Sequence, residues 1–214
     1  MIDVGMDKPE IYDGFVLKME IVPEPCWFFN LRKLFTASKW FEVRTRVYGE
    51  FLYSCPFCGS EHWDDRYPWE IPKAIGGGLH AHEIWRYDDE IHTQFLDGIT
   101  AICPTCHSIK HMFLTQKRVE EGALKMEDII SHFCTVNKCM PQDFHQILKY
   151  EMLVYHERGK YQWLLDIGDY FEYLAPKSAE YIVDGKLEGN WDLLSDKTLS
   201  KIDSLMIERG MVDD

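Results

Sequence analysis

The chain has 214 residues, of which 46% are hydrophobic and 14% aromatic, enough for one domain with a real core and an appendage. A formal net charge of -13 excludes a generic nucleic-acid coat, because nonspecific duplex binding comes mostly from Lys and Arg displacing counterions at phosphates, and any such contact must be local. No apolar run approaches the ~18 residues that span a bilayer and the N-terminus has no basic, then hydrophobic, start, so a cytoplasmic chain without membrane contact is expected.

Residues 1 to about 20 mix acidic, aromatic and Gly residues without a strong period and are expected to form a tail without chemistry. Ile21 to Asn30 reads as an extended aromatic lead-in, with Cys26 a buried thiol. The short basic run Leu31 to Arg46 holds Arg32, Lys33, Lys39, Arg44 and Arg46 against Glu42 alone. It is either a solvated helix face or a phosphate-facing one. From Ser38, a candidate cap, Trp40, Val43, Val47 and Phe51 recur at helical spacing.

Cys55-Pro56-Phe57-Cys58 forms the first of two CxxC knuckles. Glu61 to Lys73 is polar and punctuated by Pro, hence a loop, closed by Gly76-Gly77-Gly78. Leu79 to Tyr87 alternates as a strand, placing His80, His82, Ile84 and Arg86 on one side and Ala81, Glu83 and Trp85 on the other. His82 and Glu83 should therefore diverge. After the turn at Asp88-Asp89-Glu90, Gln94 to Ile102 returns to the second knuckle, Cys103-Pro104-Thr105-Cys106. Pro104 sits where a helix can start, and His107 and His111, four apart, share a face of it.

Two knuckles supply the four thiolates of a tetrahedral structural zinc, Cys55, Cys58, Cys103 and Cys106. In the cytoplasm, seven cysteines fit metal-bound and free thiols better than disulfides. His82, His107 and His111 remain beside that staple and are not needed by it, which suits a second, histidine-rich metal site; alternatively His107, next to Cys106, only backs the knuckle. Trp69, Trp85 and Tyr87 are either core or stacking platforms. Cys134 and Cys139, near His132 and His145, either mimic another metal site or pack as thiols.

Beyond Lys117, Leu124 to Phe133 suggests a helix reaching about Val136. Phe144 to Tyr155 suggests another that ends near Gly159, Tyr161 to Ile167 a short strand, and Leu193 to Ile207 a last amphipathic helix. The expected organisation is a lead-in over 1–30, a zinc and metal core over 31–117, a helical segment with a short strand over 118–175, and an acidic extension over 176–214.

With its CxxC…CxxCHxxxH pattern and the interposed strand containing His82, the stretch Cys55 to His111 resembles the HNH, or ββα-metal, nucleases that carry a four-cysteine zinc staple. Pro25-Cys26-Trp27-Phe28-Phe29-Asn30 and His82-Glu83-Ile84-Trp85-Arg86-Tyr87-Asp88-Asp89 look like a bacterial and phage subgroup. The resemblance implies an α+β fold with a zinc-stapled ββα core flanked by mostly helical segments. It also implies a divalent ion, Mg, Mn, Ni or Zn, held by His82, His107 and His111. The family's general-base histidine falls on Glu83 and its middle Asn on Gly98. If active, such a protein hydrolyses phosphodiesters, DNA before RNA. The ion then acts as Lewis acid and Glu83 as base, with His80 or His92 as substitute bases, and Arg32, Lys33, Arg44, Arg46 and Lys110 contact nucleic acid. If degenerate, the same scaffold binds a protein or a nucleic acid around its zinc.

Overall fold

The computed structural model describes residues 2–27, 30–61 and 78–175, together with the backbone of two short strands beyond them. The fold is mixed α+β. Helices α1 (Leu31–Leu34) and α2 (Ala37–Glu50) precede the hairpin of β1 (His80–Asp88) and β2 (Thr93–Ile102). Then come α3 (Pro104–Lys110), α4 (Met112–Glu120), α5 (Met126–Asn137), α6 (Pro141–Arg158) and β3 (Leu164–Asp166), followed by β4 (Ile182–Val183) and β5 (Lys186–Glu188).

The sheet runs in the order β1-β2-β3-β5-β4. β1 and β2 are antiparallel, pairing His80 with Ile102 and Asp88 with Thr93, and the register shifts between Ile84 and Trp85. This bulge falls after His82 and Glu83, so the alternation that separates their side chains holds at both. β3 joins β2 in parallel, and β5 pairs antiparallel with β3. The last helix expected from the sequence, over Leu193 to Ile207, and the loop with Trp69 lie outside the described residues.

Local chemistry accounts for most element ends. Asn30 caps α1, its side chain accepting the Lys33 N–H at 3.0 Å. α2 is capped two residues before the expected Ser38, because Thr36 Oγ1 accepts the Lys39 N–H at 3.3 Å. Pro104 and Pro141 occupy first-turn positions of α3 and α6, where the missing N–H costs nothing. α5 stops at Lys138, whose φ of 54° is left-handed. The helix read through His111 is two helices: His111, at φ -113° and ψ 63°, breaks the chain between α3 and α4.

One hydrophobic cluster runs from Tyr12 to Ile167 and takes in the inward faces of α2, α5 and α6. It includes the segment expected to be a tail. Leu17, Met19 and Ile21 are all buried while Val16 is exposed, an alternation of period two. This stretch is tied to the end of α5 by two hydrogen bonds to one side chain. The Leu17 N–H donates to Asn137 Oδ1 at 2.9 Å, and Asn137 Nδ2 donates back to the Leu17 carbonyl at 2.8 Å. At the far end of the hairpin, Arg158 on α6 grips the Asp89 carboxylate with two bonds of 2.7 and 3.1 Å.

Candidate metal centre

The first knuckle is a tight turn: Gly59 N–H donates to the Cys55 carbonyl at 2.8 Å, and Cys55 N–H to the Ser60 carbonyl at 2.9 Å. Gly59 has φ +73°, a conformation an L side chain seldom adopts. The second knuckle is the first turn of α3, where Cys103 Sγ accepts the Cys106 N–H at 3.4 Å. Together they bring four sulfurs within 4.8 Å of one another. Cys58 and Cys103 Sγ are 3.7 Å apart, against about 3.8 Å between sulfurs of a tetrahedral zinc site with ~2.3 Å bonds.

The crowding of the sulfurs is itself an argument for a cation. Hydrogen bonds from the Cys103 and Cys106 thiols lower the Cys55 pKa, while the same contacts and burial push that of Cys106 far up. Without a cation the four sulfurs cannot all ionise together, and a bound metal ion would remove that conflict. Four thiols on two knuckles match zinc by donor type, number and spacing.

His82, His107 and His111 form the second group, each offering a nitrogen within 4.8 Å of the others. β1 supplies His82 and α3 supplies His107. His111 is turned onto the same centre by the break before α4. His82 is 3% exposed. Its Nε2 lies 2.8 Å from Glu20 Oε2, and its Nδ1 is buried with no hydrogen-bond partner among the described residues. A buried imidazole nitrogen left unpaired costs free energy unless something binds it, and a divalent ion between three imidazoles is suited to do so. Burial and the neighbouring imidazoles lower His111 to about 4 and His107 further still, so both are neutral and ready to ligate near pH 7.

Glu20 completes this centre from a segment in which no chemistry is expected from sequence. Its Oε1 takes the ammonium of Lys110, itself only 5% exposed. Burial works against the Glu20 charge, but the His82 bond and Lys110 outweigh it, and the carboxyl sits below its ordinary range. Lys110, read as a nucleic-acid contact, is therefore turned inward to Glu20. The period-two pattern from Leu17 to Ile21 could have shown that this segment is a packed strand-like stretch, but not that Glu20 meets His82.

Glu83 diverges from His82 as the strand alternation requires. Its Oε1 accepts the Leu31 N–H at 3.0 Å, and burial raises its pKa. A cavity of about 1070 Å³ is nevertheless lined by both Glu83 and the three imidazoles, with Arg32, Lys33 and Arg44 on its wall. Arg44 Nε is buried without a hydrogen-bond partner among the described residues. Arg46 faces elsewhere, bonding Tyr170 Oη at 3.2 Å.

Of the other residues, His80 is exposed on the cavity wall with Nδ1 2.8 Å from His107 Nδ1. His92 is stacked on Tyr161, 4.2 Å between ring centroids, at the opposite end of the hairpin. That is about eight strand steps from His80, roughly 27 Å. Gly98 lies inside β2 opposite Ile84, not in the hairpin loop. Tyr87 is held among Gln94, Trp163 and Arg158, whereas Trp85 lines the cavity. His132 lies against the four-cysteine cluster, its Nε2 3.1 Å from Cys106 Sγ, a contact the sequence does not announce. Among the described residues Cys134 and Cys139 build no metal group.

Compared with known proteins, the chain matches no family model, no curated protein and no solved structure.

Proposed function

We propose that the chain is a metal-dependent phosphodiesterase of the HNH type, cleaving DNA, with a structural zinc on Cys55, Cys58, Cys103 and Cys106 and a divalent ion on His82, His107 and His111. One observation carries the reading: the three imidazoles, a carboxylate with raised pKa and three basic side chains share a single cavity. When bound, the ion supplies Lewis-acid stabilisation of charge on the phosphate and the leaving oxygen. Arg44, with Arg32 and Lys33, receives the phosphate oxygens and confines the anionic contact to one face of an otherwise acidic chain. Glu83, one oxygen of which is fixed by Leu31, takes a proton from the attacking water with the other.

The experiment is a cleavage assay on plasmid, single-stranded DNA and RNA with added Mg, Mn or Ni, using wild type, His82→Ala and His111→Ala. Nicking by wild type and a loss of at least about 10³-fold in both variants, with zinc content and circular dichroism unchanged, is the expected result. Activity that survives both substitutions sinks the assignment.

A second reading is favoured by the Leu31 bond to Glu83 and by Gly98 in the strand. It is a scaffold without a base that holds a protein or nucleic acid around its zinc. It gains if the chain binds one zinc, takes up no second ion and cleaves nothing.

A further inference from the structure

We infer that Glu20 is the positioning residue of the histidine centre. Its carboxylate accepts the His82 Nε2–H and thereby presents Nδ1 as the ligand atom, which makes the N-terminal segment a working part of the metal site. The inference rests on the reading of His82, His107 and His111 as ligands of one ion.

The geometry points there from both sides of the ring. Nε2 is engaged by Glu20 Oε2 at 2.8 Å, and Nδ1 is buried and unpartnered among the described residues. An imidazole has one donor and one acceptor nitrogen when neutral, so fixing the proton on one nitrogen leaves the lone pair on the other. Glu20 is not among the residues whose donor atoms cluster at the centre, so it acts through His82.

The carboxylate is also held against rotation. Its second oxygen is taken by the buried Lys110 ammonium, and the backbone three residues earlier is clamped by Asn137. A ligating histidine that donates its other N–H to a carboxylate is better oriented and more basic, and loss of such a partner typically costs roughly 10- to 100-fold in metal affinity. A plain structural ion pair between Glu20 and Lys110 would have no such effect on the ring.

The test uses the full chain with its zinc in place, titrated with Co(II), and ¹⁵N spectra of His82 without added Co(II). Wild type should bind one Co(II) that His107→Ala/His111→Ala does not bind, and His82 should be the Nε2–H tautomer. Glu20→Ala should weaken Co(II) binding roughly 10- to 100-fold and lose the tautomer preference while keeping one zinc. Glu20→Gln, the isosteric variant in case Ala does not fold, retains an acceptor but not the charge and should fall between.

Co(II) affinity within twofold of wild type in folded Glu20→Gln and Glu20→Ala overturns the inference. If wild type takes up no Co(II), or the double variant still does, the reading of the centre fails. The His82 spectrum then decides for Glu20 alone: Nε2–H in wild type and lost in Glu20→Ala supports the positioning role, and Nδ1–H overturns it.

Discussion

Cys106 Sγ and His132 Nε2 stand 3.1 Å apart, joining α3 to α5 at the four-cysteine cluster. Burial lowers the His132 pKa, so the ring is neutral and has an N–H to give a thiolate. A hydrogen bond of this kind disperses charge on the sulfur and keeps the ligand aimed. His132→Ala should therefore speed zinc transfer to a chromogenic chelator and lower affinity roughly 10- to 100-fold, with His132→Gln in between. Equal zinc retention in all three proteins would assign this contact to packing alone.

Zinc removal should unfold more than the knuckles. Cys55, Cys103 and Cys106 belong to the same buried cluster as Val43, Ile109 and Phe133. A four-thiolate zinc contributes on the order of 10 kcal/mol, comparable with the whole stability of a domain. Stripping the ion with a strong chelator should collapse the far-ultraviolet helical signal, and stoichiometric zinc should restore it. A chelated protein that keeps its cooperative thermal transition would contradict this.

Acid should destabilise the chain through the histidine centre. His111 titrates near 4 in the folded protein and His107 lower still, against about 6.5 when unfolded. From 6.5 down to about 4 the unfolded chain takes up protons there that the folded chain does not. The sign is fixed by that difference: stability is full above 6.5 and falls with pH, by at most about 1.4 kcal/mol per pH unit for each group. Urea unfolding of the zinc form at pH 7, 6 and 5, without other divalent ions, should show this slope. It should flatten in His107→Gln/His111→Gln, and an unchanged slope would contradict the assignment.

Glu83 offers a separation of structure from chemistry. Glu83→Gln keeps an oxygen for the Leu31 N–H, so the thermal midpoint should move little, while loss of the base should lower kcat by roughly 10²-fold or more. Because burial raises the carboxyl pKa, wild-type activity should rise with pH through a value above the ordinary carboxylate range. A glutamine variant as active as wild type would leave Glu83 as an anchor for α1 only.

Most of this centre was legible because its chemistry is local in sequence. The four cysteines, with His107 and His111, lie in short motifs whose spacing dictates a knuckle or a helical turn, and the strand alternation alone separates His82 from Glu83. Glu20 and His132 were not legible as partners. Each meets its contact through packing across 62 and 26 residues, and no short-range pattern records that. The break at His111 was missed for a different reason: the i, i+4 spacing fits a continuous helix as well as a helix that ends one residue earlier. The inward turn of Lys110 depended on knowing where Glu20 would be.

The clamp between Leu17 and Asn137 closes a loop of 120 residues. A chain emerging from the ribosome cannot make it until the end of α5 has left the exit tunnel, after both cysteine knuckles have done so. Order of synthesis thus separates the two centres in time. All four cysteines of the sulfur site precede that point, whereas the clamp that holds the segment carrying Glu20 can close only after the last turn of α5 arrives. The entropy lost in closing so long a loop makes this clamp a late contact, and the histidine centre leans on it through Glu20.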